Sequence, residues 1–353
     1  VYMHIHSSFK LNGLAFENSE DLLVYAKSKD DCIYRFLKDW FNCDVFLTVQ
    51  TSGSTGIPKL IQLKKGSMVQ SALATADYFQ LHAGTKALLC MSADYIAGKM
   101  MLVRALTLGW ELDVVEPVAN PLLQLNKQYD FCAMVPLQVQ SSLNELYKVK
   151  KIIVGGGELS QKLMDKIQQS STQVFATYGM TETITHVAVQ ALNQGSTNYF
   201  KCLPGVKVVT DSRGCLKIMA PRISENEIVT NDLAELISDT KFRWLGRIDN
   251  VINSGGVKLL PETIESKIIK LLEHPYFIAA EKDVKFGEKV ILVIESKPYN
   301  ELQINKLKQE LQTVLSKFEM PKSIYFIDKF LETATKKIQR RQTLDLIINQ
   351  SKN

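Results

Sequence analysis

Residues 51–59, TSGSTGIPK, crowd the hydroxyls of Thr51, Ser52, Ser54 and Thr55, the glycines Gly53 and Gly56 and the cation Lys59 into one short run. Hydroxyls, and backbone N–H groups with no Cβ in the way, are what an anion's oxygens need, and a lysine supplies the balancing charge. The spacing excludes a Walker loop. Pro58 stands where a glycine would precede Lys59, and Leu60 stands where the magnesium hydroxyl would follow. Taken alone, the run is either a phosphate grip of another kind or a polar turn between strands.

Three further constellations have chemistry in them. In YGMTET (178–183), Tyr178 offers a stacking face and Gly179 allows close backbone approach, with Met180 next in line. Thr181 can bond a phosphate, and Glu182 can bind magnesium shared with phosphate oxygens. A strand end with a helix cap is the plainer alternative. Just upstream, GGGELS (155–160) ends another strand, where Gly155, Gly156 and Gly157 suit either a flat ring lying on backbone or a tight turn. In WLGRIDNVINSGGVKLLPETIE (244–265), Arg247 is a candidate for nucleotide hydroxyls or phosphate, and Asp249 sits on a presumed domain boundary. Lys337, in TATKKIQRR (333–341), reads by itself as a solvated charge among neighbouring cations.

The elements that must position these residues are legible in the apolar pattern. Residues 19–41 predict two amphipathic helices, with Ile33, Phe36, Leu37, Trp40 and Phe41 at helical spacing. DVFLTVQ (44–50) is a strand running into 51–59, and KLIQLKK leaves that run as another. Strand-like KALLCM, ELDVVEP, YDFCAMV, KKIIVGGG and TQVFATYG alternate with helix-like GKMMLVRALTLG, PLQVQSSLNELYK and SQKLMDKIQQS. Such alternation predicts a mainly parallel sheet covered by helices. After about residue 187, short strands with turn signals predict a smaller β-rich subdomain. Beyond WLGRIDN a compact mixed unit follows, with a helix opening on Pro261, a strand KVILVIES, a long helix over 300–318 and a strand KSIYFID. The domain boundary is expected at Gly246 to Asn250, giving domains 1–246 and 250–353.

The 353-residue chain has 46% hydrophobic and 22% charged residues, which argues for globular structure over disorder. A net charge of +5 suits anionic substrates, but 42 basic against 37 acidic residues is no nucleic-acid footprint. The six cysteines have no metal-ligand spacing, no signal peptide is expected at the N-terminus, and no apolar run approaches a membrane span. A soluble cytoplasmic protein is expected, with oligomeric state left open. Of the five histidines, His186 follows Glu182 closely enough to line a site, or it simply starts a strand.

Together the motifs resemble the adenylate-forming superfamily: acyl-CoA synthetases, adenylation domains and luciferases. TSGSTGIPK resembles its mobile phosphate loop, YGMTET its aromatic-Gly-x-Thr-Glu motif, and TNDLAEL the segment with a ribose-binding aspartate, here Asp232. GRIDNVINSGGVKLLPETIE resembles the hinge segment and TATKKIQR the segment with the catalytic lysine, here Lys337. The resemblance spans roughly residues 45–341. It implies a large α/β domain with a β-rich subdomain and a small mobile α+β C-terminal domain. It also implies ATP, magnesium and a carboxylic acid as ligands, with coenzyme A or a carrier-protein thiol as acceptor. In that frame Lys337 bridges the acid and the α-phosphate, Glu182 holds magnesium, and Thr181 with the loop hydroxyls orients phosphates. Asp232 and Arg247 hold ribose, and Tyr178 stacks on adenine with Gly155, Gly156, Gly157 and Glu158 on its other side. Asp249 is the hinge, and Gly255, Gly256 and Lys258 belong to the face that admits coenzyme A.

The chain departs from that pattern in places. Only about fifty residues precede the phosphate loop, and Lys336 and Asn231 stand where glycines are usual. For the acid, MSADYIAGKMMLVRALTLGWEL (91–112) resembles the corresponding segment of o-succinylbenzoate–CoA ligases of menaquinone biosynthesis. Tyr95 is at a usual His position, and Ala97, Gly98 and Arg104 match. A retained aromatic carboxylate calls for a cation in the pocket, which Lys99 or Arg104 would supply. The alternative is an amphipathic helix whose Lys99 and Arg104 face solvent. Another acid with the same chemistry, and a non-catalytic nucleotide-binding relative, are the remaining readings.

Overall fold

The computed structural model describes residues 3–50, 60–157, 159–333 and 338–350. The phosphate-loop run 51–59, Glu158, Lys336 and Lys337 lie outside the described residues. Five strands, Lys86–Leu89, Glu111–Val114, Tyr129–Met134, Val149–Val154 and Gln173–Gly179, form the parallel heart of the fold. Taken in chain order, they lie side by side as second, first, third, fourth, fifth. In doubly wound sheets with this order, ligands gather at the carboxyl ends of the strands. The 155–157 glycines and Tyr178–Met180 leave from two adjacent carboxyl ends.

The short strands expected to form a β-rich subdomain continue the same sheet. His186–Ala191 pairs antiparallel with Gln173–Gly179 and carries the sheet on through Phe200–Cys202, Lys241–Arg247 and Ile228–Ser238 to Cys215–Met219 and Lys207–Thr210. A short hairpin of Lys10–Leu11 and Leu14–Ala15 completes the opposite edge, giving 13 strands in one sheet. Among the described residues, Phe46–Gln50 and Leu60–Lys64 pair antiparallel only with each other.

Helix Lys65–Phe79, which the sequence reading did not single out, follows that hairpin. It packs against helix Ile96–Leu108 over the core of Phe79, Met100, Met101, Leu102, Trp110 and Phe131. Both helices are buried on most sides, so neither shows the one-sided apolar stripe of a surface helix. The predicted helix over 136–148 stops at Ser141, with a separate turn at Leu146–Lys148.

The large sheet ends at Arg247 and a second sheet begins at Ile252. Here Tyr276–Asp283 and Gly287–Glu295 pair antiparallel, Ser323–Ile327 adds in parallel, and Ile252–Ser254 with Val257–Leu259 forms an edge hairpin. Helices Pro261–Ile268 and Glu301–Val314 cover it over Ile264, Ile278, Leu292, Leu307 and Leu311. Among the described residues, no helix is long and apolar enough to cross a membrane.

Candidate nucleotide and acid site

Tyr178 stands at the carboxyl end of its strand with its hydroxyl donating to Asp232 Oδ2 at 2.8 Å. Trp244 Nε1 donates to the other oxygen at 3.2 Å. Phe242, edge-on at 5.1 Å between centroids, and Phe200 at 5.8 Å support the tyrosine ring. Burial first, and then the Asp232 charge, push the Tyr178 phenol well above its ordinary value, so the hydroxyl remains a donor. A carboxylate has about four lone-pair sites, so Asp232 keeps acceptor capacity for a diol after these two bonds. Cross-strand pairing sets Arg247 directly opposite Asp232. Sequence reasoning found Tyr178, Asp232 and Arg247 but missed Trp244, Phe200 and Phe242. Trp244 was visible three residues before Arg247, but only the strand register shows that it reaches Asp232.

Gly179 is required by packing. A Cβ there would collide with the Thr185 carbonyl and the His186 Cα, where the neighbouring strand crosses close by. The chain then makes one tight turn, Thr181–Thr183, fastened by Thr183 Oγ1 against the Met180 backbone at 2.9 Å. Ile184 follows at φ 67° and ψ −60°, with Thr185 N donating to Thr183 O at 2.8 Å. This is a γ-turn at positive φ, a strained geometry for a β-branched residue. The buried Ile184 side chain holds it in place. Glu182 projects from this turn into a cleft of about 620 Å³, shared with Gly66, Ser67, Gln70, Arg222 and Glu225. Strand Leu60–Lys64, which leaves the phosphate-loop run, passes beside the same turn.

Among the described residues, no group of three His, Cys, Asp or Glu side chains could hold a metal by itself. One carboxylate in a cleft does fit a magnesium ion that arrives on a nucleotide and takes its remaining ligands from phosphate and water. A larger groove of about 820 Å³, lined by Tyr78, Lys201, Pro204 and Lys207, contains none of the motif residues.

The acid-site candidates separate. Lys99 does not project freely from its helix: its ammonium donates to the carbonyls of Ala93 and, at 2.9 Å, Asp94. Those bonds take two of the ammonium's three protons and fasten the loop leading to Tyr95 and Gly98. Tyr95 is 46% exposed at the helix start, and Gly98 is buried. Arg104 is 1% exposed, which overturns the alternative that it faces solvent. Its Nε donates to Thr75 Oγ1 at 3.4 Å, NH1 reaches Met101 Sδ at 3.7 Å, and NH2 is buried without a partner.

Burial alone pushes the Arg104 guanidinium down to about 9, still above neutrality. No carboxylate is hydrogen-bonded or ion-paired to it among the described residues. His186 lies beyond Thr75, its Nε2 at 3.5 Å from Oγ1. The Thr75 proton goes to Ser71 O at 3.0 Å, so the oxygen accepts from both Arg104 and the His186 ring. Burial and then the Arg104 charge hold His186 well below the imidazole range, hence neutral. Ser71 Oγ, one helical turn before Thr75, is also buried without a partner. The structure thus links Arg104 through Thr75 to His186, with Ser71 one turn before Thr75 on the same helix. His186 was noticed in the sequence without a role, and the helix bearing the other two was missed.

On the C-terminal side, Gly255 and Gly256, at φ 58° and 83°, form the two-residue turn of the edge hairpin. Both positions need positive φ in such a turn. Lys258 is exposed on the strand that follows. Asp249 sits in the turn Ile248–Asn250 and accepts from Arg247 at 2.7 Å. Asn250 donates to Glu262, and Thr263 Oγ1 donates to Leu245 O at 3.2 Å, tying helix Pro261–Ile268 to the linker. The same helix anchors the end of the Lys337 segment. An isolated bridge joins Glu332 to Ile338, and Arg340 meets Glu265 with two bonds of 2.8 Å.

A family model described as AMP-binding enzyme matches residues 39–216. The chain belongs to the AMP-binding enzyme family, within the adenylate-forming superfamily. It is 37% identical to an acyl-CoA synthetase (AMP-forming)/AMP-acid ligase II-like protein from Dyadobacter fermentans, with 94% of this chain and 99% of that one covered at a TM-score of 0.62. It is 24% identical to the 2-succinylbenzoate–CoA ligase of Haemophilus influenzae over 84% of this chain and 69% of that protein. The o-succinylbenzoate coenzyme A synthetase of Bacillus subtilis, solved with ATP and magnesium, superposes at a TM-score of 0.73 and 18% identity, covering 93% of this chain and 82% of that one. At that identity the likeness speaks for the fold alone.

Proposed function

We propose that the chain joins a carboxylic acid to coenzyme A through an acyl adenylate, and that the acid is o-succinylbenzoate. In the first step a carboxylate oxygen bonds to the α-phosphorus of ATP, the bridge to the β-phosphate breaks, and pyrophosphate leaves with its electron pair. In the second, the thiol sulfur of coenzyme A bonds to the acyl carbon, its proton is lost, and AMP departs. Negative charge accumulates in the first step, so cations and donors must face it.

On this reading Lys337 bridges the acid and the α-phosphate. Thr181 and the hydroxyls and amides of 51–59 orient the phosphates. Glu182 would hold magnesium together with phosphate oxygens, and that ion would supply positive charge against the leaving pyrophosphate. Asp232, with Arg247 opposite, takes the ribose hydroxyls, and Tyr178 stacks on adenine between its aromatic buttress and the glycines 155–157. The 250–353 domain turns about Asp249 between the steps and brings Gly255, Gly256 and Lys258 to the acceptor thiol. Such motions often set turnover.

Arg104 is the observation that carries the choice of acid. An uncompensated guanidinium at 1% exposure, bonded to Thr75 with a neutral His186 beyond it, is a costly arrangement that a second carboxylate on the substrate would relieve. o-Succinylbenzoate has such a carboxylate on its aromatic ring, and the 2-succinylbenzoate–CoA ligases among the relatives support the choice. The test compares o-succinylbenzoate with 3-benzoylpropionate, which lacks the aromatic carboxylate. The wild type should prefer the diacid by about 100-fold or more in kcat/KM, the size expected for pairing a buried charge. Arg104→Met should erase that preference by lowering turnover on the diacid. Equal use of both acids by the wild type would remove the diacid from the account.

A further inference from the structure

Asn231 directly precedes Asp232 on strand Ile228–Ser238, so the two side chains leave opposite faces. Asp232 turns to Tyr178 and Trp244, while Asn231 turns to the linker. The Asn231 amide nitrogen lies 3.2 Å from both carboxylate oxygens of Asp249. On its other side, Arg213 NH1 donates to Asn231 Oδ1 at 3.2 Å. These partners fix the amide's orientation. A guanidinium only donates and a carboxylate only accepts, so the oxygen faces Arg213 and the nitrogen faces Asp249.

Arg213 is itself immobilised by Asp211, at 2.9 Å from Nε and 2.8 Å from NH2, and by Thr230 O at 3.1 Å. The Asp211 carboxylate accepts from the backbone of Arg213 and Cys215, which roots the chain of contacts in the large sheet. Asp211, Arg213, Asn231, Asp249 and Arg247 therefore form a continuous relay. Its charges alternate around a neutral amide, and it includes Asp249, which lies between the two sheets. A glycine at 231, as the superfamily pattern has it, would leave a gap in the middle.

We propose that Asn231 is a positioning residue that latches the linker to the nucleotide side of the large sheet through Asp249, so that turning the C-terminal domain requires breaking its bonds. Arg247 holds Asp249 from the last strand of the large sheet, and Asn231 adds the bonds from the neighbouring strand. Because Asn231 and Asp232 are consecutive, a ribose seated on Asp232 and the setting of the linker act on one stretch of strand. The inference rests on the proposed two-step reaction for its kinetic consequence, and on geometry alone for the latch.

The experiment uses the full chain with Asn231→Ala and Asn231→Asp. The aspartate keeps an acceptor for Arg213 but sets a like charge against Asp249. Three quantities are read: acid-dependent ATP–pyrophosphate exchange, single-turnover acyl transfer from the adenylate to coenzyme A, and the rate of proteolytic cleavage within 248–260. Both variants should leave exchange within about twofold of wild type while acyl transfer and cleavage each rise at least about fivefold, a split that a general packing defect does not produce. The latch is refuted if exchange and transfer fall by one common factor, or if cleavage is unchanged in both variants. If the wild type shows neither half-reaction, the proposed function fails, while the cleavage rates still decide whether Asn231 holds the linker.

Discussion

Arg104 and His186 bring the cost of burying ionisable groups down to single residues. A guanidinium with one unpartnered nitrogen and no carboxylate costs the folded protein desolvation energy. Arg104→Met should therefore raise Tm by a few degrees in the absence of acid, while thermal stabilisation by o-succinylbenzoate, measured in the same melt, disappears. A lower Tm would contradict an uncompensated charge at Arg104. His186 carries a pH signature. Its imidazole is held below its ordinary value when folded, so the unfolded chain binds the extra proton between the two values. That contribution to stability is complete above about pH 6.5, the ordinary histidine value, and is lost as the pH falls below it. His186→Gln should flatten this part of the Tm-against-pH curve. An unchanged slope would assign the acid sensitivity to other groups. Arg104 was named from its motif as a cation for a second carboxylate, but its link to His186 could not be derived from sequence, because it depends on a helix–strand contact between residues 111 positions apart.

At the scale of elements, the carboxyl ends of the parallel strands place the nucleotide candidates, and the sequence foretold most of this. The strands over 86–91, 129–135, 150–157 and 172–179 fell where apolar runs meet glycine or proline, because buried strands have little choice but to be continuously apolar. Helix Lys65–Phe79 was not foretold. It is buried on several sides and mixes Ser71 and Thr75 with alanines, so it has no stripe to read. The junction of Gly179 with His186 is the tightest constraint in this layer. Gly179→Ala must displace a neighbouring strand, which should cost about 3 kcal/mol by denaturant titration and weaken nucleotide binding in parallel. Full stability with normal binding would contradict the close strand crossing at Gly179. Helix Pro261–Ile268 has the matching role downstream, since Glu262 reaches the linker and Glu265 grips Arg340, three residues beyond Lys337.

Across the whole molecule, the motifs that carry chemistry are spread from residue 51 to residue 337, and the fold gathers those among the described residues around strand ends and a linker. The composition and motif order foretold an α/β core, a β-rich extension and a mixed C-terminal unit. They did not foretell that the extension continues the same sheet, because strand order is set by pairing across the chain rather than by local pattern. That continuity matters. It lets Asp232 and Arg247, on late strands, face Tyr178 on the last parallel one. The account's central claim is that this arrangement activates an acid at the expense of ATP and hands it to coenzyme A. The most direct measurement is pyrophosphate release with ATP, magnesium and a panel of carboxylic acids including o-succinylbenzoate, with and without coenzyme A. The account predicts release with o-succinylbenzoate, sustained turnover only when coenzyme A is present, and loss of both in Lys337→Ala. ATP binding without release for any acid would contradict it and make the chain a nucleotide-binding relative that does no chemistry.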